Sequence, residues 1–173
     1  MPRGRHFPRK QVENLRDAAL ANAEHLDLDC RFLYRNGSFA RSVSIGILAI
    51  EEMAKTVILN GMLSRDAAGK SVDWRFLQRL IDKHEFKLVT HFSILTAVAA
   101  GTPSESQLKK FISGKGGAQR LAASFEDLKE KGFYAGLFQG KVCTPAKVIT
   151  ADHAGGIIGF LDNLRTLRSA LGW

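Results

Sequence analysis

The sequence predicts an all-α protein in which long helices pack as antiparallel neighbours. Three observations carry that prediction. Apolar residues recur at helical spacing through segments of about twenty residues or more. Short stretches rich in Gly, Asn, Pro or Ser separate these segments, and so short a helix connection makes neighbours antiparallel. Only residues 133–149 lose the helical period, which leaves room for one small extended or hairpin-like excursion.

The first helix begins near Pro8, a residue tolerated in an opening turn, and runs to Arg35 before Asn36-Gly37 stops it. Val12, Leu15, Ala19, Leu26 and Leu33 form its inner stripe, with Asn22 and Asp29 on the same side. These two polar residues either lie at the edge of the seam and bond locally, or build a polar pocket with an acid of the second helix. Ser38 is the expected N-cap of that second helix, which reaches about Leu63 before a loop over Arg65–Ser71. Asp73 caps a third helix from Trp74 to about Ala100, ended by Gly101-Thr102-Pro103. A shorter helix opens at Ser104 and breaks at Gly114-Lys115-Gly116-Gly117. That stretch has neither the spacing nor the preceding strand of a phosphate-binding loop. Ala118–Lys131 forms a further helix with Leu121, Phe125 and Leu128 inward. The excursion follows, bearing Tyr134, Phe138 and Val142 among Lys131, Lys141 and Lys147; its aromatics either pack over the bundle or stack on bases. Thr150 or Asp152 caps a last helix to about Leu171, with Ile157, Ile158, Leu161, Leu164 and Leu167 inward.

Length and composition limit the classes of function. A chain of 173 residues is long enough for a single domain with its own core, expected over residues 8–173. A hydrophobic share of 45% and a charged share of 24% are ordinary for a globular protein. Cys30 and Cys143 make no disulfide framework and no zinc set, and neither a metal nor a cofactor is expected. No apolar run approaches the roughly 18 residues that span a bilayer, and the first ten residues lack the apolar core of a signal peptide. A cytoplasmic location with no membrane partner is the expectation. The net charge of +8 permits an acidic partner such as RNA. Arg3, Arg5, Arg9 and Lys10 crowd the N-terminus, where residues 1–7 read as a basic flexible tail or a phosphate-contacting arm.

Chemistry concentrates on two helices. Within Ala40–Asn60 an apolar face of Ala40, Val43, Ile47, Ile50, Ala54, Val57 and Ile58 has Glu51 at its margin, Glu52 further out and Lys55 one turn on. A buried carboxylate needs a donor, so Glu51 requires Lys55 or a group on a neighbouring helix. The apolar face of the third helix includes His84, which stacks with Lys87 and His91. Arg79 precedes His84 by an Arg-x4-His spacing. The two side chains are about 140° apart on one helix, so they converge only by flanking a groove or by meeting across a dimer axis. Arginine supplies a fixed cation for phosphate and histidine a proton acceptor near neutral pH. Lys55, Lys87 and His91 are the candidate RNA or phosphate contacts.

SFARSVSIGILAIEEMAK at residues 38–55 resembles the signature of the AbiV family of abortive-infection proteins. DKHEFKL at 82–88 and KEKGFYAGLFQGKVCTPAKVIT at 129–150 are similar to two later segments of that family. The resemblance reaches from the first helix to the last. It implies membership of the wider HEPN superfamily, hence an antiparallel four-helix bundle with extra short helices, often dimeric. It further implies a defence protein, with growth arrest through RNA or translation. Many HEPN members are metal-independent ribonucleases, and the superfamily's Arg-x4-6-His motif falls on Arg79 and His84, with Glu51 as the additional polar residue. The partners expected on this basis are tRNA, mRNA or rRNA, the translation machinery, a phage-encoded trigger protein and a second copy of the chain. The alternative expectation is a non-catalytic module that binds a ribosome, tRNA or phage protein.

Overall fold

The computed structural model describes residues 8–69, 117–138 and 141–171. Five helices and one hairpin occupy them: α1 (Arg9–Arg35), α2 (Phe39–Ala67), α3 (Gly117–Phe133), β1 (Gly136–Phe138), β2 (Lys141–Cys143), α4 (Pro145–Val148) and α5 (Ala151–Leu171). The all-α expectation holds. The third helix and the short helix at 104–113 fall outside the described residues, as does the tail at 1–7.

Local chemistry sets the helix ends. Gly37, at φ 72°, follows Asn36 in the left-handed conformation that an L side chain resists. There the Ser38 amide bonds the Leu33 carbonyl at 2.9 Å and the Gly37 amide bonds the Tyr34 carbonyl at 3.0 Å, a Schellman closure of α1. Ser38 then holds the N-cap position of α2, its carbonyl accepting the Ser42 amide at 2.9 Å. At α5 the cap is Thr150. Its amide donates to His153 Nδ1 at 3.1 Å, while the His153 amide reaches Thr150 Oγ1 at 3.5 Å, a reciprocal box with histidine in the usual glutamate place.

α2 outruns its predicted end near Leu63, because Arg65, Asp66 and Ala67 continue the helix until Gly69 at φ 66°. Arg9 explains the extra turn. Its guanidinium bonds the Leu63 carbonyl at 3.4 Å and Asp66 at 3.1 Å, besides Glu13 at 2.9 Å. Arg9, one of the basic residues crowded near the N-terminus, therefore pairs with acids.

The chain divides into two compact units, one of residues 1–21 and 51–123 and the other of 22–50 and 124–173. In the first, Val12, Ala19, Met53, Ala54, Ile58, Leu59, Met62 and Leu63 are buried. In the second, Ala23, Cys30, Val43, Ile47, Ile50, Phe125, Ile157, Leu161 and Leu164 form the core, with Phe125 and Phe160 edge to face at 5.6 Å. Two glycines let backbones meet there. A Cβ on Gly46 would strike Ile157 and stand 2.9 Å from Cys30 Sγ, and one on Gly132 would strike Ser44 and the Ala40 carbonyl. The Ser44 hydroxyl donates at that second crossing to the Lys129 carbonyl, 2.9 Å away.

Three inward assignments change. Asn22 and Asp29 are exposed, so no polar pocket forms from them, and the buried seam of α1 runs Val12, Ala19, Ala23, Asp27, Cys30. Leu121 is 41% exposed, because α3 turns Ala122, Phe125 and Lys129 inward instead. The excursion is an antiparallel hairpin with Leu137 opposite Val142, followed by the short α4, which the loss of helical period concealed. Tyr134 and Val142 are 71% and 73% exposed, so neither packs over the bundle.

Candidate functional site

The α2 motif places two adjacent carboxylates in different surroundings. Helical rotation of about 100° per residue turns Glu51 onto the apolar side and Glu52 toward its edge. Glu51 is 1% exposed, on a helix whose Ile47, Ile50, Ala54 and Ile58 are also buried. So deep a carboxylate demands a compensating group, and Glu51 is not without a partner. Lys55 does not fill that role. Its ammonium donates to both carboxylate oxygens of Glu52, at 2.6 and 2.7 Å, and the pair is largely shielded from water. The i,i+3 geometry wins because Glu52 and Lys55 share the margin of the helix, whereas Glu51 has turned inward. Thr56 closes this polar edge by donating to the Glu52 carbonyl at 3.1 Å.

Of the other residues expected in the site, Arg79, His84, Lys87 and His91 lie outside the described residues. The described part of the site is thus the buried Glu51 and, on the same helix, the ion pair of its neighbour Glu52 with Lys55.

Sequence reasoning missed a second buried carboxylate, in the other unit. Asp27 is 2% exposed on α1. Arg31 Nε donates to its Oδ1 at 2.8 Å, and Arg165 of α5 pairs with its Oδ2 at 2.5 Å. Arg31 also reaches Asp162 at 2.6 Å, and Arg168 reaches Glu24 at 2.7 Å. Partial burial is the largest influence on Arg31 and opposes its charge. The bonds to Asp162 and Asp27 together outweigh it, holding the guanidinium above its usual range. Beside this network the Cys30 thiol is pushed up, first by burial, with the Ser42 hydroxyl acting the other way. Ser42 in turn donates to the Cys30 carbonyl at 2.8 Å. The signal for Asp27 lay in its spacing, four residues after Ala23 and four before Arg31. Chemically both carboxylate oxygens of Asp27 are engaged by guanidiniums from α1 and α5, which suits a structural tie between the two helices.

Among the described residues no group of three His, Cys, Asp or Glu side chains is placed to hold a metal ion, and no helix is long and apolar enough to cross a membrane. A family model described as AbiV, of the HEPN class, matches residues 11–166. Neither the curated proteins nor the solved structures contain a significant match.

Proposed function

The chain belongs to the AbiV family of the HEPN superfamily, which supports a role in abortive-infection defence, and from that premise we propose that it arrests growth by cleaving RNA. The observation that carries the reading is Glu51, a carboxylate 1% exposed in the Glu-Glu-x-x-Lys part of the 38–55 segment that resembles the family signature. Packing alone would favour an apolar residue there. In the proposed reaction His84 takes the proton of a ribose 2′-hydroxyl, and the 2′-oxygen bonds to the adjacent phosphorus as the 5′-oxygen leaves and takes up a proton from solvent. Arg79, with Lys87 and His91 near the phosphate, stabilises the charge that gathers on the phosphoryl oxygens. Glu51 orients His84 or Lys87. The products are a 2′,3′-cyclic phosphate and a 5′-hydroxyl end, and no metal enters the scheme. A homodimer completes the site by presenting Arg79 of one copy to His84 of the other. The protein acts in the cytoplasm, with tRNA, mRNA or rRNA as substrate and a phage product as trigger.

The test is cleavage of total cellular RNA by purified protein in EDTA, with His84→Ala alongside and the ends of the fragments identified. Cleavage by the wild type alone, leaving cyclic phosphate, is the expected outcome. Equal cleavage by both proteins, or by neither, removes the proposal. Light scattering that finds a monomer at micromolar concentration removes the shared site.

One observation favours a second reading, that of a module arresting growth by binding without cleavage. Lys55 spends its charge on Glu52 at 2.6 Å rather than presenting it to a phosphate. Under this reading Lys55→Met leaves growth arrest intact, and His84→Ala alters melting temperature but not arrest per folded molecule.

A further inference from the structure

A groove of about 270 Å³ lies between the C-terminal half of α3, the hairpin and α4. One wall is Asp127, Glu130 and Lys131 of α3 with Tyr134 just past the helix end, its amide bonded to the Glu130 carbonyl at 3.0 Å; Cys143, Thr144 and Val148 line the other, with Gly136 between them. Lys131 is committed to Asp127 at 2.6 Å, so the two charges cancel within the wall. Glu130 is exposed and makes no side-chain ion pair among the described residues. Thr144 stands at the N-cap of α4, yet its hydroxyl makes no capping bond. Tyr134 offers a ring that is 71% exposed. A carboxylate, a ring face and an uncommitted hydroxyl together suit an alkyl-borne cation, which pairs with the first, lies over the second and donates to the third.

A second observation says how such a cation is presented. The sheet holds only β1 and β2, so among the described residues the outer edge of each strand has no β partner. An unpaired edge is a template for an added strand, whose alternate side chains enter neighbouring pockets.

We propose that this groove binds an arginine or lysine side chain carried by an extended basic segment of a partner protein, which adds as a strand to the hairpin edge. The inference is independent of the RNA-cleavage reading. Because the chain as a whole carries +8, a basic peptide is repelled by the body of the protein, and any binding reports local complementarity.

The experiment is calorimetric titration of the full chain with an acetylated, amidated pentapeptide alternating valine and arginine. Glu130→Gln is expected to weaken binding about tenfold, since a charge-assisted hydrogen bond is lost, and Tyr134→Ala about threefold. Citrulline in place of arginine, or methylation of alternate backbone amides, each weakens binding at least as much as Glu130→Gln. Both protein variants alter exposed side chains, so an unchanged circular dichroism spectrum shows that the fold is intact. No binding, or binding unaltered in both protein variants, overturns the proposal. Free arginine amide or spermidine binding as tightly as the peptide overturns the strand addition. A single-stranded RNA that displaces the peptide through the same residues at lower concentration overturns the assignment to a protein partner.

Discussion

Asp27 and Glu51 are both carboxylates under 3% exposed, and the two compact units accommodate them differently. Asp27 is held by Arg31 of its own helix and by Arg165, which lies far away in the chain. Around it the unit is knitted by close backbone crossings at Gly46 and Gly132. Glu51 belongs to a motif whose obvious cation, Lys55, is taken by Glu52. The contrast teaches that burial alone does not mark a site. A buried charge answered by arginines that tie two helices explains itself by stability, whereas Glu51, buried in the segment that resembles the family signature beside a lysine committed to Glu52, is the candidate for a functional account.

Replacing Asp27 sharpens the contrast most. Asp27→Ala strands two guanidiniums and is expected to cost about 3 kcal/mol in urea unfolding; the partial exposure of Arg165 keeps the loss at the lower end for a broken buried pair. Growth arrest per folded molecule stays unchanged. Glu51→Gln is the mirror experiment, abolishing arrest while the urea midpoint moves little. A variant pair that behaved the other way round would break the distinction.

Next in size are the α2 glycines. Gly46→Ala pushes a methyl into Ile157 and Cys30 and is expected to cost about 1–3 kcal/mol. Gly61→Ala has nothing within 4 Å and is expected to stabilise by about 0.5–1 kcal/mol through helix propensity. Thermal unfolding of the two variants measures how tightly each unit is packed around the same helix.

The smallest effect is a pH slope from Cys30. Burial raises its folded-state pKa, so above the ordinary thiol range the unfolded chain has lost a proton that the folded chain keeps. Stability is therefore full below that range and declines as pH rises through it. Cys30→Ala flattens this part of the profile relative to wild type. In native protein, alkylation is expected at Cys143 well before Cys30.

Much of the described fold was legible. The start of α1, its end at Asn36-Gly37, the start of α2, and α3, the hairpin and α5 follow from caps, breakers and period, which act within a few residues. Glu51 was legible for the same reason, because one turn of apolar neighbours dictates its burial. The phase of α1 was not. Leu15, Leu26 and Leu33 are large and drew the inward face toward themselves, but only partly buried. The closest packing goes to Ala19, Ala23 and Cys30, since small residues let helices approach. Asp27 rides on that seam, while Leu28 and Phe32 are left 59% and 66% exposed.

The sequence by itself determined where these helices begin and end, that a carboxylate is buried in the AbiV segment, and which family the chain belongs to. Only the tertiary structure decided which carboxylates find which cations. Lys55 chooses between two adjacent glutamates by a rotation that the packed face imposes. Arg165 reaches Asp27 because α1 and α5 lie side by side, a juxtaposition no local spacing encodes. Capping and periodicity are short-range forces and can be read from a few neighbouring residues. The pairing of buried charges depends on desolvation, and desolvation is set by every element that closes over the group.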